Sequence, residues 1–162
     1  MGTDIKSYAI DEIGNVVSGG NWADSKDNCP SYGIGEGKPF GWRNYAVFGF
    51  LADVRNYSAV TPISQPRGLP TDLRGLEDEF DYGHSHSWLS VDELVAFDYD
   101  ALTEDRRVMR MAPGGFMSGA ETCDIGEGQA MTYREFLRPA FFHDIAELQR
   151  IGADRVVFCF NC

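Results

Sequence analysis

Positive charge is scarce in this chain. Its 162 residues hold 14 Lys and Arg against 25 Asp and Glu, a net charge of −11 at pH 7. Coulomb repulsion then opposes approach to polyanions, which argues against general binding to nucleic-acid backbones or anionic membranes. A small anionic ligand is not excluded, because a local group of arginines holds one phosphate whatever the total charge. Long apolar runs are also missing. No stretch reaches the ~18 apolar residues that a membrane-crossing helix needs. The opening residues, MGTDIKSYAI, lack the basic-then-apolar order of a secretory signal. Lys6 stands where the N-myristoylation pattern wants Ser or Thr.

Cysteine is sparse, at positions 29, 123, 159 and 162. With no signal peptide, a reducing compartment is expected and the four are read as incidental. Cys159 and Cys162 form a C-x-x-C, but a zinc site needs a second pair or histidines, and a redox site needs a helix start. Several catalytic signatures are absent as well. There is no phosphate-binding G-x-x-x-x-G-K-[ST], no dinucleotide G-x-G-x-x-G, no G-x-S-x-G and no H-E-x-x-H. The glycines of 33–37 and 126–128 mark loops only. No cofactor and no metal are expected on these grounds.

What is present suits one globular domain. Hydrophobic residues make up 43 % of the chain, and its length allows a single sizeable core. Residues 4–10 read as a strand, with 13–18 pairing back on it across a turn at Asp11 and Glu12. Residues 19–41 are rich in Gly and Pro and read as a long loop. Residues 44–56 read as a buried helix capped by Asn44, with Gly49 marking close packing. Residues 57–70 contain three prolines and read as irregular. A short helix is expected from Thr71 to Phe80. Ser90 with Glu93, and Thr132 with Glu135, have the spacing of helix-opening capping boxes. Pro139 lies inside the second helical pattern and predicts a kink or a two-part helix, with Gly152 just past its end. A short strand is expected at 108–111. The nearly continuous apolar run at 155–160 predicts a central strand. The fold class expected is α+β: a small sheet holding the N- and C-terminal strands, covered by three or four helices.

Two constellations carry candidate chemistry. The first is the segment from Asp81 to Trp88, where two of the three histidines stand. In an extended strand His84 and His86 face the same way, with Ser85 between them. Two imidazoles suit ligand contact or general acid–base work, with Asp81 as the orienting carboxylate. The second is the set of arginines around the buried helix: Arg43 with Asn44, Arg55 with Asn56, and Arg67 beyond it. A guanidinium fork fits phosphate or carboxylate, and Trp88 or Trp42 offers a face on which a base stacks. The bland alternative for each is structural: loop-orienting hydrogen bonds for the histidines, surface ion pairs for the arginines. Met109, Met111, Met117 and Met131 are read as packing residues.

Several words in one order, MGTDI at 1–5, RNYAVFGFLADVRN at 43–56, PISQPRGLP at 62–70, GHSHSWLSVDEL at 83–94, TYREF at 132–136 and ADRVVFCF at 153–160, resemble a group of small tailed-phage proteins. The group carries a His where Lys6 stands here, and an aromatic-Asp-Asn type of tail where this chain ends in Phe160, Asn161 and Cys162. The resemblance implies an accessory protein in the cytoplasm of an infected bacterial host. By analogy of genome context, the expected function is capture of a small nucleotide-derived defence signal, of ADP-ribose or cyclic-nucleotide type. Arg43, Arg55 and Arg67 are then phosphate holders, His84, Ser85 and His86 read polar groups, and Trp88 or Trp42 stacks on a base. No catalytic residue is required, no nucleic-acid polymer or membrane is a partner, and a homo-oligomer is compatible. Two alternatives stay open: a phosphoesterase using His84 and His86, and an acidic inhibitor directed at a host protein.

Overall fold

A computed structural model describes residues 2–23, 38–111 and 117–161. In chain order they form strand β1 (Asp4–Ile10), helix α1 (Tyr45–Ala52), strand β2 (His84–Ser90), helix α2 (Val91–Ala96) and strands β3 (Leu102–Asp105), β4 (Arg107–Met111), β5 (Met117–Thr122) and β6 (Gln129–Thr132). Helices α3 (Tyr133–Leu137) and α4 (Pro139–Arg150) and strand β7 (Arg155–Asn161) complete the chain. This is one α+β domain.

The apolar run at the C-terminal end forms the middle of the main sheet, in the order β1-β7-β2. Both pairings are antiparallel, from Asp4 opposite Asn161 to Ile10 opposite Arg155, and from His84 opposite Phe160 to Ser90 opposite Arg155. A strand paired on both sides and covered on both faces can be apolar at every position. Its side chains alternate between two cores. Val156, Phe158 and Phe160 join the larger one, built with α1, α2, α3 and α4. Val157 and Cys159 join a smaller one with Ile10, Leu76 and Phe80. Helices therefore cover one face, and the segment around residues 73–80 covers the other.

The larger core is aromatic. Phe50 of α1 meets Phe97 at 4.9 Å, Tyr133 at 5.6 Å and Phe141 at 5.8 Å between ring centroids. Edge-on and tilted pairs of this kind add to simple burial. On the sheet side, Phe48 packs edge-on against Phe160 at 5.1 Å.

Local signals place the helices. Asn44 caps α1 by accepting from the Ala46 and Val47 amides. Both capping boxes form, Ser90 with Glu93 and Thr132 with Glu135. Pro139 starts a new helix after a break at Arg138, so the expected two-part helix is present. Gly152 follows α4 with φ +74°, the left-handed backbone that ends helices.

Three expectations need correction. Helix α1 stops at Ala52 and not at 56, because Asp53 is left-handed (φ 60°) and its amide closes back on Gly49. The expected helix from Thr71 to Phe80 is only a 3₁₀ turn at Glu77–Phe80. Gly75 is left-handed (φ 72°), and the Asp72 carboxylate is drawn away to Arg155 at 2.8 and 2.9 Å. Residues 13–18 do turn back on β1, with the Val17 amide donating to the Ala9 carbonyl at 2.9 Å, but they form no strand beyond a single bridge of Val16 to Ile10. The Asp11 carboxylate instead gathers the Ile13 and Asn15 amides into a tight turn. Most of the glycine-rich loop lies outside the described residues, as do Cys29, the glycines of 33–37, and Cys162 of the C-x-x-C. The expected strand at 108–111 is present as β4, and β3, β5 and β6 are additional elements, paired as β3–β6 and β4–β5.

Candidate functional site

Asp105 stands opposite Gln129 where β3 pairs with β6. The Thr132 capping box turns β6 directly into α3, and α3 breaks at Arg138. Between the β3–β6 ribbon and this broken helix lies a cleft of about 310 Å³, lined by Asp105, Arg107, Gln129, Glu135, Phe136 and Arg138 among others.

Its two arginines differ. Arg107 lays its fork on Asp105, with Nε donating to Oδ1 at 2.8 Å and Nη2 to Oδ2 at 2.7 Å. Its guanidinium sits 5.1 Å from the centre of the Phe136 ring. Asp105 also accepts from Ser58 Oγ and from the Arg107 amide. Burial pushes the Asp105 carboxyl up, but these donors outweigh it, and the net shift is downward. Asp105 is thus a fixed carboxylate. Arg138 is exposed, and its guanidinium makes no hydrogen bond or ion pair among the described residues. Its backbone, at φ 69° and ψ 165°, lies in a region that glycine alone enters freely. Such a conformation costs about 1–3 kcal/mol for another residue. Glu135 is half engaged, its Oε2 accepting the Thr132 amide at 2.8 Å. Chemically the cleft offers one open cationic fork, an amide at Gln129, an apolar floor at Phe136 and two carboxylates.

The residues singled out from the sequence lie elsewhere. Arg43 forks Asp4 with two bonds of 2.8 Å at the start of β1. Asn44 is the α1 cap. Arg55 donates to Thr3 Oγ1 at 2.9 Å and reaches the Tyr57 hydroxyl. Asn56 closes the turn after α1, bonding Asp53 and both the amide and carbonyl of Val60. Arg67 runs along the outer edge of β2, forking Glu93 and lying 4.9 Å over the Trp88 ring. The Glu93 carboxyl is held down at about 2, chiefly by the Arg67 bond and further by Ser90. Trp88 meets a second guanidinium, Arg155, at 5.8 Å. Asp81 is exposed beside the 3₁₀ turn.

The histidine expectation is overturned. A bulge interrupts β2 between His84 and Ser87, and Ser85 takes φ +53°. One extra residue reverses the alternation of side chains. The His84 ring lies 6.2 Å from Phe160, on the face of the larger core. The His86 ring meets Phe80 at 6.4 Å, in the smaller core, and its Nε2 bonds the Phe80 carbonyl. The two imidazoles therefore face opposite sides of the sheet, and Ser85 Oγ stands 3.0 Å from Nδ1 of His84.

The set is thus divided. Arg43 and Arg55 gather at residues 3 and 4, while Arg67, His86 and Trp88 lie along β2 and its other face. Sequence reading missed Arg107, Gln129, Phe136 and Arg138. The one available signal was the dipeptide Arg138-Pro139 inside a helical pattern, which put the break at Arg138.

Among the described residues, no group of three His, Cys, Asp or Glu is placed to hold a metal ion. No helix among them is long and apolar enough to cross a membrane. Cys159 is buried, and burial pushes its thiol up. Compared with protein-family models, curated proteins and solved structures, the chain matches none.

Proposed function

We propose that this protein captures a small nucleotide-derived ligand without cleaving it, in the cleft between the β3–β6 ribbon and the break of α3 and α4. The observation that carries the reading is Arg138. A long cationic side chain is kept, unpaired among the described residues, at a backbone position that favours glycine, on the wall of a ligand-sized cleft. Strain retained at a cleft wall is a recurring mark of ligand clamps. The open fork suits a phosphate, and the amide of Gln129 and the ring of Phe136 suit a polar ligand with an apolar part.

The resemblance to small tailed-phage proteins supplies the context. In that context the ligand is a host defence signal of ADP-ribose or cyclic-nucleotide type, and the protein works in the cytoplasm of an infected bacterium. Hydrolysis by a His84–His86 pair is the weaker reading, since the bulge at Ser85 sends the two rings to opposite faces.

The test is mass spectrometry after incubation with a panel of cyclic nucleotides and ADP-ribose isomers. The protein is filtered, then heat-denatured, and both fractions are measured. Capture predicts an intact ligand lost from the filtrate and released by heat. A product mass that grows with time defeats the reading in favour of an enzyme. No depletion of any ligand also defeats it, and directs the search to a protein partner for this acidic chain.

A further inference from the structure

Four charged side chains of the cleft balance one another: Asp105 and Glu135 against Arg107 and Arg138. They are not equally available. Arg107 commits its fork to Asp105, and Glu135 commits one oxygen to Thr132. What remains for a ligand is the open fork of Arg138, with the free oxygen of Glu135 in the lining of the same cleft. A carboxylate in that lining disfavours a second negative charge on the bound group. One fork suits a phosphate with two free oxygens and one charge. The free oxygen of Glu135 and the Gln129 amide suit N–H and O–H donors on the remainder of the ligand. A volume of about 310 Å³ sits at the lower end of the range for small-molecule sites. It suits one nucleotide unit better than two.

We propose that the ligand is a mononucleotide whose phosphate carries a single negative charge, a cyclic phosphodiester, and that Arg138 is the residue that recognises this phosphate. This narrows the capture reading and rests on it. The backbone at Arg138 makes the assignment testable without harm to the fold. Glycine relaxes φ 69° and ψ 165°, so Arg138→Gly removes the guanidinium and the strain together.

The experiment is equilibrium dialysis at fixed ionic strength with wild type and Arg138→Gly. The probes are cyclic AMP, cyclic UMP, their open monophosphates AMP and UMP, cyclic di-AMP and ADP-ribose. The expected result is that at least one cyclic mononucleotide binds at least tenfold tighter than its open monophosphate. Arg138→Gly is expected to lose at least tenfold in that affinity while its melting temperature holds or rises. Open monophosphates binding as tightly as the cyclic ones overturn the single-charge assignment. Binding of cyclic di-AMP or ADP-ribose alone overturns the size assignment and leaves capture standing. An Arg138→Gly variant that binds like wild type overturns the role of Arg138. If no probe binds wild type, both the capture reading and this narrowing of it fail.

Discussion

The Asp144 carboxylate holds the Phe40 amide at 2.8 Å and, through its other oxygen, the Ala23 amide at 2.8 Å. It is fully buried in α4. The two residues it grips are far apart in the chain, so one carboxylate fastens both Ala23 and Phe40 to the helix. The rest of the same helix adds to the grip. His143 bonds the Asn21 carbonyl, Glu147 accepts the Asn21 amide, and Arg150 donates to the Gly19 carbonyl.

Burial pushes the Asp144 carboxyl up to about 6, against the two amides that lower it; His143 lowers it further and Glu147 raises it. A folded value above the unfolded one means the protonated form favours the native state. This contribution is full below pH ~4 and is lost as pH rises through about 6. Asp144→Asn removes the titration and leaves one amide facing an NH₂. It is expected to cost about 1–3 kcal/mol at pH 7. Urea unfolding of both proteins from pH 4 to pH 7 checks this. The difference between the two curves isolates Asp144, and a difference independent of pH would rule out the raised value.

Arg67 is expected to matter to stability and not to ligand capture. It forks Glu93, which also closes the α2 capping box, and it covers Trp88. The Glu93 carboxyl at about 2 is depressed, so its contribution is full above the unfolded value and is lost as pH falls toward 2. The Glu93 side chain is 37 % exposed, which screens the pair. Glu93→Gln and Arg67→Ala are each expected to cost about 0.5–1.5 kcal/mol. Chemical denaturation measures the loss, and dialysis against the ligand measures capture. Loss of capture in Arg67→Ala with unchanged stability would move the site to the edge of β2.

The bulge at Ser85 gives a third test. A side chain at φ +53° is disfavoured for all but glycine and a few small polar residues. Ser85→Gly is expected to keep or raise stability. Ser85→Val is expected to lower it by about 1–2 kcal/mol, since a β-branched side chain crowds a left-handed backbone. Thermal unfolding of the pair decides it. Equal melting temperatures would mean the strand slips into regular register with valine and loses its bulge.

These cases show what the sequence could and could not reveal. Both capping boxes, the Pro139 break and the apolar β7 were legible, because each depends on residues within one turn or one strand. The separation of His84 from His86 was not, because the bulge is defined by the register of β2 on β7, more than 70 residues away along the chain. The cleft was hidden for the same reason. Asp105 and Arg107 meet Gln129 and Arg138 only through the pairing of β3 with β6, two short strands without strong alternation. The arginines around α1 drew attention by their spacing, yet their partners Asp4, Thr3 and Glu93 come from distant segments and engage them internally.

Gly49 offers a case where local preference and packing point in opposite directions. In a helix interior, alanine is favoured over glycine by about 1 kcal/mol. A Cβ at position 49 would stand 2.8 Å from Asn56 Oδ1 and 3.1 Å from Asn56 Cα. Both distances are too short for a carbon without movement, and the second involves backbone. Asn56 is not free to yield, because its side chain bonds Asp53 and the amide and carbonyl of Val60. Packing wins, and Gly49→Ala is expected to cost about 1–3 kcal/mol net. The cause is testable by a double-mutant cycle with Asn56→Ala. Removing the amide relieves the closer contact, so Gly49→Ala should cost less in that background. Additive losses would show that the two residues do not oppose each other and that another neighbour excludes the methyl group.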